Sequence, residues 1–419
     1  MEKEKKMGKG KRILALFLAF AMVVTSVNLS GWTTVKAEET NEPEKLAYFS
    51  FDEAPVNGVF TGTGAKATIN LDGNNAVAKA ITDDKAVGNG SLNLSEDAFL
   101  SVTKTDGSTL LDGSNEEITI SYYSKPGSTG AGWAYFIAPN SQAPWDDGEE
   151  DYLGVLDTSA TLKLERYATN RNNDPSMSAS RTADWSRIDV VYEKASTTVY
   201  VNGIKQNTQS NTEPICGSDG SNGSIGTNGI FYIGKATWGS GEYYHGLIDN
   251  FTVYGEALTE DQIKAEYVKS EVIGSVTKSH ISLDRLREDL TLPSSVTTLG
   301  ETIAWTSSDV AVISDTGAIN DTAADGATAT LTGTITYNEA NYTVEIPVTI
   351  NKAVTATEGG ITYDFNDNIG DAIPVAKGLS DYDGAMTFVE GRSGEANDKA
   401  LDLNKEHGLE LPYYNMNSA

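Results

Sequence analysis

The sequence predicts an all-β chain built from sandwich domains, and three observations lead there. Apolar and polar residues alternate with period two in short runs, as at 327–337 and 342–350, the pattern of strands with one buried face. Clusters of glycine, asparagine and serine separate those runs with turn chemistry, and none of them forms a phosphate-cradling loop ahead of a helix. Two segments also recur: YFSFDE (48–53) and SLNL (91–94) return as TYDFND (362–367) and ALDL (400–403). A chain of 419 residues with such a repeat predicts two to three domains.

The first element is a leader. Lys3, Lys5, Lys6, Lys9, Lys11 and Arg12 precede an apolar run over 13–24, and small residues continue to Ala37. The run is shorter than the roughly 20 residues that cross a bilayer. Val35 and Ala37 fit a cleavage pattern ahead of Glu38. The expectation is a signal peptide over 1–37, no membrane span after its removal, and a secreted or extracellular protein at the surface of a Gram-positive-type bacterium. A retained anchor is the alternative.

Charge and cysteine content narrow the class. The formal net charge is −28, and losing a leader with seven basic and two acidic residues takes it to −33. Such an acidic surface repels phosphate, so no nucleic acid is expected as a partner. It also supplies oxygen ligands for calcium. Cys216 is the single cysteine, which excludes disulfides within the chain. His245, His280 and His407 fit no catalytic or metal spacing, and there is no Gly-x-Ser-x-Gly elbow.

Residues 245–267, HGLIDNFTVYGEALTEDQIKAEY, read as a strand, a turn and a helix that close a domain. Alternation from Leu247 places Leu247, Asp249, Phe251 and Val253 on one face, an acid within an apolar row. Gly255 ends the strand. Thr259 and Gln262 make a capping-box signature ahead of Ile263, Ala265 and Tyr267, so a short helix follows.

This ending resembles the close of a LamG-like domain, the concanavalin-type jelly roll. Residues 184–205, DWSRIDVVYEKASTTVYVNGIK, resemble that family's central hairpin, with Trp185 opening one strand and Asn202–Gly203 ending its partner. FYIGKATW (231–238) and YFSFDE (48–53) occupy further strand places of the family. The resemblance spans 45–268. Beyond it, LTLPSSV (290–296), IAWTSSD (303–309) and VISDTGAI (312–319), with the two alternating runs, resemble the atrophied bacterial Ig-like domain over 272–352, whose usual role is spacing. The repeat then predicts a second LamG-like domain starting at 360. With about sixty residues to Ala419 it is expected to be incomplete, so the fold expected is a LamG-like jelly roll, an Ig-like sandwich and the first strands of a truncated jelly roll.

Asp249 is the sharpest single residue, because a buried carboxylate needs a partner, a hydrogen-bond shell or a metal. The resemblance implies a structural calcium where acids of the first and last strands meet, bringing Asp52 and Glu53 towards Asp249. Capping of the acid by backbone amides or hydroxyls is the alternative, since no EF-hand spacing is present.

Aromatic residues beside glycine-rich or acidic loops suggest a sugar site, since flat rings cover pyranose C–H groups while carboxylates and amides take hydroxyls. Trp145, Asp146, Trp238, Tyr243 and Tyr244 are the candidates, and core or hairpin packing is the competing role for Trp133, Tyr135 and Trp238. The cluster Asp146, Asp147, Glu149, Glu150 and Asp151 lacks the glucanase pattern, because Leu153 and Gly154 stand where the further glutamate belongs. No catalytic residue is expected. The function expected is non-catalytic binding of a polysaccharide or cell-surface glycan. One alternative is the accessory region of a larger arabinan- or xylan-degrading glycoside hydrolase; another is an adhesin or structural spacer.

Overall fold

The alternating runs fold as strands of antiparallel sheets. The computed structural model describes residues 43–351, except 82–83, 89, 128–131, 140–150, 169–175, 212–213, 217–222, 226–227, 239–241, 278–282, 284–285, 287, 297–299 and 338–339, together with the backbone of four short strands between 373 and 410.

The chain opens with β1 (Lys45–Phe49), β2 (Val59–Thr61), β3 (Ala65–Leu71), β4 (Val77–Ile81), β5 (Ser91–Ser95) and β6 (Ala98–Lys104). Then come β7 (Leu111–Asp112), β8 (Ile118–Pro126), β9 (Gly132–Ala138), β10 (Tyr152–Asp157), β11 (Thr161–Tyr167) and β12 (Met177–Ser180). The set is completed by β13 (Ser186–Tyr192), β14 (Ser196–Val201), β15 (Ile204–Ser210), β16 (Asn228–Ile233) and β17 (Gly246–Tyr254), followed by helix α1 (Glu260–Thr277).

One sheet runs β15-β14-β13-β8-β17-β5-β4, with β1 also on β17. The other runs β12-β11-β10-β9-β16-β6-β3-β2, with β7 on β16. Between them lies one apolar core that includes Leu100, Ile120, Tyr122, Tyr135, Val190, Phe231 and Phe251. Sandwich strands alternate inward and outward. Accordingly Tyr135 and Ile137 enter the core, while Phe136 between them packs with Trp133 and Tyr152 in a separate cluster on the outer face. The Tyr135 and Tyr192 hydroxyls meet at 2.7 Å and join the two sheets across the core.

Two turns are legible from their chemistry. Asn202 (φ 52°) and Gly203 (φ 71°) link β14 to β15, the positive-φ pair that a tight hairpin demands. Thr259 caps α1: its amide donates to Gln262 Oε1 at 2.8 Å and its hydroxyl accepts the Gln262 amide at 3.3 Å. The expected short helix is in fact 18 residues long. It continues past Tyr267 because its far half has a second partner.

That partner is the next sheet, β18 (Ser295–Val296), β19 (Glu301–Ser307), β20 (Thr328–Tyr337) and β21 (Ala340–Thr349), paired in that order. Leu331, Ile335, Val344, Ile346 and Val348 form its buried face together with Tyr267, Val268, Val272 and Val276 of α1. Farther on, β22 (Ile373–Ala376) pairs with β25 (His407–Glu410), and β23 (Thr387–Glu390) with β24 (Lys399–Asp402). β24 carries the first three residues of ALDL, the repeat of the SLNL in β5. The nesting matches the pairing of β3 with β6 and of β4 with β5 in the first sandwich.

The face assignment within β17 needs correction. The register slips between Asp249 and Thr252, where Asn250 takes φ 47°. A bulge inserts one residue and flips everything beyond it to the opposite face. Phe251 and Val253 therefore point into the core with Ile248, and Asp249 does not share their row. It stands opposite Tyr123 of β8, whose ring packs outside the core with Ala86, Val87 and Ile273.

Candidate functional site

Two sites emerge, on opposite sheets. The first is built around Asp249, which is fully buried. Its Oδ2 accepts the backbone amides of Ala86 and Val87, both at 2.9 Å. Its Oδ1 is buried and has no hydrogen-bond partner. Burial pushes the carboxyl well above the usual range, the Val87, Ala86 and, more weakly, Asn250 amides pull it back, and the charge of Asp52 raises it further.

Asp52, just beyond β1, is half-buried and its Oδ1 accepts the Gly90 amide at 2.9 Å. A β-carbon on Gly88 would lie 2.5 Å from that oxygen, and Gly88 has φ +70°, so only glycine lets the loop close on the carboxylate. Ala86, Val87, Gly88 and Gly90 thus grip both acids. Glu53 is exposed. With Asp52 it lines an open cleft of about 300 Å³ that also includes Phe49, Phe51, Val56 and Phe60.

An all-oxygen donor set suits a hard divalent cation. Among the described residues no three His, Cys, Asp or Glu side chains group together. A cation here would take two carboxylates and fill its remaining positions with backbone carbonyls and water. The buried, unmet Asp249 Oδ1 fits such a role. The loop amides were not visible in the sequence, since Ala86 and Asp249 are separated by 163 residues.

The second site is the outer face of the sheet that carries β9. Trp133 packs so close to Gly154 that a β-carbon there would come within 2.9 Å of its ring. Phe136 and Tyr152 stack at 4.8 Å, and Trp133 meets both edge to face. Trp238 caps this stack, 5.0 Å from Phe136 and 5.8 Å from Trp133 in edge-on contacts, and remains half-buried while the others are fully buried. Trp133 Nε1 donates to Glu242 Oε2 at 3.0 Å, which holds an exposed carboxylate beside the rings.

Tyr243 lies next to this stack but is occupied. Its hydroxyl donates to Asp72 Oδ2 at 2.6 Å, and Lys235 Nζ reaches the same oxygen at 2.6 Å while lying over the Tyr243 ring at 5.0 Å. Tyr244 packs in the core between the sheets, with its hydroxyl on the Leu247 carbonyl, so it presents no ring face to solvent. Trp145 and Asp146 lie outside the described residues. Tyr135 belongs to the core, and Trp133 to the outer stack.

A two-sheet antiparallel sandwich closed by a helix, with an Ig-like sheet behind it, defines the class as a lectin-like jelly roll joined to an Ig-type module. Residues 95–264 match the laminin G type 3 family of the Concanavalin A-like lectin/glucanases superfamily, and residues 269–353 match the Atrophied bacterial Ig domain. Solved structures similar to this chain include domain 4 of an extracellular arabinanase from Geobacillus stearothermophilus, in complex with arabinotriose. It has 17% identity and a TM-score of 0.36, and the match covers 53% of this chain and 98% of that one. The Ruminococcus gnavus IT-sialidase CBM40 bound to α2,3-sialyllactose has 14% identity and a TM-score of 0.29, covering 36% and 82%. The botulinum neurotoxin serotype D binding domain has 12% identity and a TM-score of 0.36, covering 71% and 72%. No curated protein matches the chain. Among the described residues no helix is long and apolar enough to cross a membrane.

Proposed function

We propose that the jelly roll is a non-catalytic carbohydrate-binding module of an exported protein, and that it holds a polysaccharide or surface glycan on the outer face around Trp238. The observation that carries this reading is the half-buried Trp238 indole, packed on Trp133 and Phe136, with the exposed Glu242 carboxylate on the Trp133 nitrogen. A fixed ring face with adjacent acceptors is the chemistry that recognises a pyranose. Membership of a lectin and glucanase superfamily supports the ligand class.

The engagement of two acids of the same sheet supports binding without hydrolysis in this reading. Glu165 accepts the Tyr152 hydroxyl at 2.7 Å and pairs with Lys163, and Asp157 is sealed in an ion pair with Arg181. Neither is free to act as one of the two opposed carboxylates that glycoside cleavage needs. Asp52 and Asp249 hold a structural calcium in this reading, supported by the unmet Asp249 Oδ1.

Affinity electrophoresis of the full chain through a panel of plant and bacterial polysaccharides tests the proposal. Retardation by at least one polysaccharide that is lost in Trp238→Ala, with the melting temperature unchanged, is the expected result. Free migration of the wild-type protein through every gel would end it.

A further inference from the structure

Helix α1 has two buried stripes rather than one. Ile263 packs with Val191, Tyr200 and Tyr254 of the jelly roll. Farther along the same side, Ser270 Oγ accepts Arg187 Nη1 at 2.9 Å, and Ile273 packs with Ala86, Val87 and Tyr123 while also touching the Ig core. On another side, Asp261 accepts the Tyr342 hydroxyl at 3.4 Å, Lys264 lies over the Tyr337 ring at 5.3 Å, and Val268, Val272 and Val276 enter the Ig core. Both stripes follow the three-to-four spacing of one helix. The helix is therefore common to both domains.

Its jelly-roll stripe ends on the very loop that grips Asp249. A β-carbon at Gly274 would lie 3.0 Å from the Ala86 carbonyl oxygen and 3.4 Å from a Val87 methyl. Glycine is unfavourable inside a helix, and this close approach accounts for it. The amides of the same two residues, Ala86 and Val87, bind Asp249 Oδ2. Two residues before Ala86, Asp84 is tied to Trp185 Nε1 at 2.8 Å and to Lys125 Nζ at 2.9 Å. Ala86 and Val87 thus touch the buried carboxylate through their amides and the helix through their packing with Ile273.

We infer that the Asp52–Asp249 site locks the junction between the two domains: with the loop 84–88 closed over the carboxylates, the second half of α1 is seated and the Ig domain is held rigidly against the jelly roll. The inference rests on the reading that the two acids take a divalent cation. Without the cation, Asp249 Oδ1 is left buried with no partner beneath the loop that also holds Asp52, which favours opening of that loop. Opening removes the surface on which Ile273 and Gly274 rest. Coupling of this kind requires a shared element that both sites bias, and residues 268–277 are that element.

The test uses the full chain, with calcium titrated by calorimetry and amide exchange followed by mass spectrometry in calcium and in chelator. The expected result is a binding isotherm, together with exchange in chelator that rises about tenfold in residues 84–88 and in 268–277, while the β9 and β10 amides stay protected. If calcium binds and the loop responds but 268–277 does not, the junction is independent and the inference falls while the cation reading stands. If no calcium binds, both fall.

Gly274→Val separates the helix from the loop without touching a carboxylate. It should bind calcium within about threefold of wild type, yet show fast exchange in 268–277 even with calcium present. Ile273→Ala, which trims packing on the loop and on the Ig core but keeps the Gly274 approach, should shift the helix the same way by a smaller factor. Wild-type protection in both variants would overturn the proposal.

Discussion

Arg181 and Asp157 form an ion pair with neither side chain exposed, at 2.6 Å. Arg181 lies just after β12 and Asp157 ends β10, both in the sheet that carries β9, while Ser124 of β8 in the facing sheet donates its hydroxyl to Asp157 Oδ2 at 2.6 Å. Arg181 Nη2 also donates to the Ser124 carbonyl at 2.7 Å. The pair therefore clips one sheet to the other. Burial raises the Asp157 carboxyl, and Arg181 opposes that rise.

Removing one member leaves the other charge buried and unpaired. Arg181→Met should lower the urea-unfolding free energy by about 3–5 kcal/mol. Arg181→Met with Asp157→Leu should recover most of that loss, because the desolvation penalty disappears with both charges. A double variant as unstable as the single one would show that the clip itself supplies net stability.

Gly203 connects a hairpin turn to the interdomain helix. It sits at φ +71°, and a β-carbon there would lie 2.7 Å from the Tyr267 ring. Gly203→Ala meets both obstacles at once, so a loss of about 1–3 kcal/mol is expected. Asn202→Ala, which faces only the backbone preference, should lose less in the same unfolding series.

Much of this was legible in the sequence where local chemistry decides the outcome. The Asn202–Gly203 turn, the Thr259–Gln262 capping box and the alternation of Val344, Ile346 and Val348 all depend on neighbours within a few residues. Long-range features were not legible. The bulge at Asn250 flips Asp249 out of the row it shares by parity with Phe251, and no local residue type announces it. The amides of Ala86 and Val87 reach Asp249 only through the tertiary fold. The length of α1 is set by a second domain, so alternation on one side could not reveal it. Tyr244 shows the limit of composition: it follows Tyr243 in a glycine-flanked stretch, yet alternation sends its ring into the core.

Asp72 offers a pH readout on the outer face. Burial alone would raise its carboxyl, but the hydrogen bonds from Lys235 and Tyr243 outweigh that and hold it below its ordinary value of 3.8. A depressed carboxylate contributes stability that is present above the ordinary value and is lost as pH falls through the folded one. Carbon-detected NMR should therefore place the Asp72 midpoint below 3.8, and Lys235→Met should move it upwards. An unchanged midpoint in that variant would assign the depression to Tyr243.

Asp249→Asn should invert the response to calcium. In chelator the substitution removes a buried charge while its amide oxygen can still accept from Ala86 and Val87, so the variant should melt at or above the wild-type temperature. In calcium the order should reverse. A ligand at a hundredfold excess over its dissociation constant adds about 2.7 kcal/mol to the form that binds it, and only the wild type keeps the Oδ1 charge to bind with. Scanning calorimetry of both proteins in both buffers gives four melting temperatures. A crossing of the two pairs is the expected pattern, and a wild-type melt that does not move with calcium would assign Asp249 to backbone capping alone.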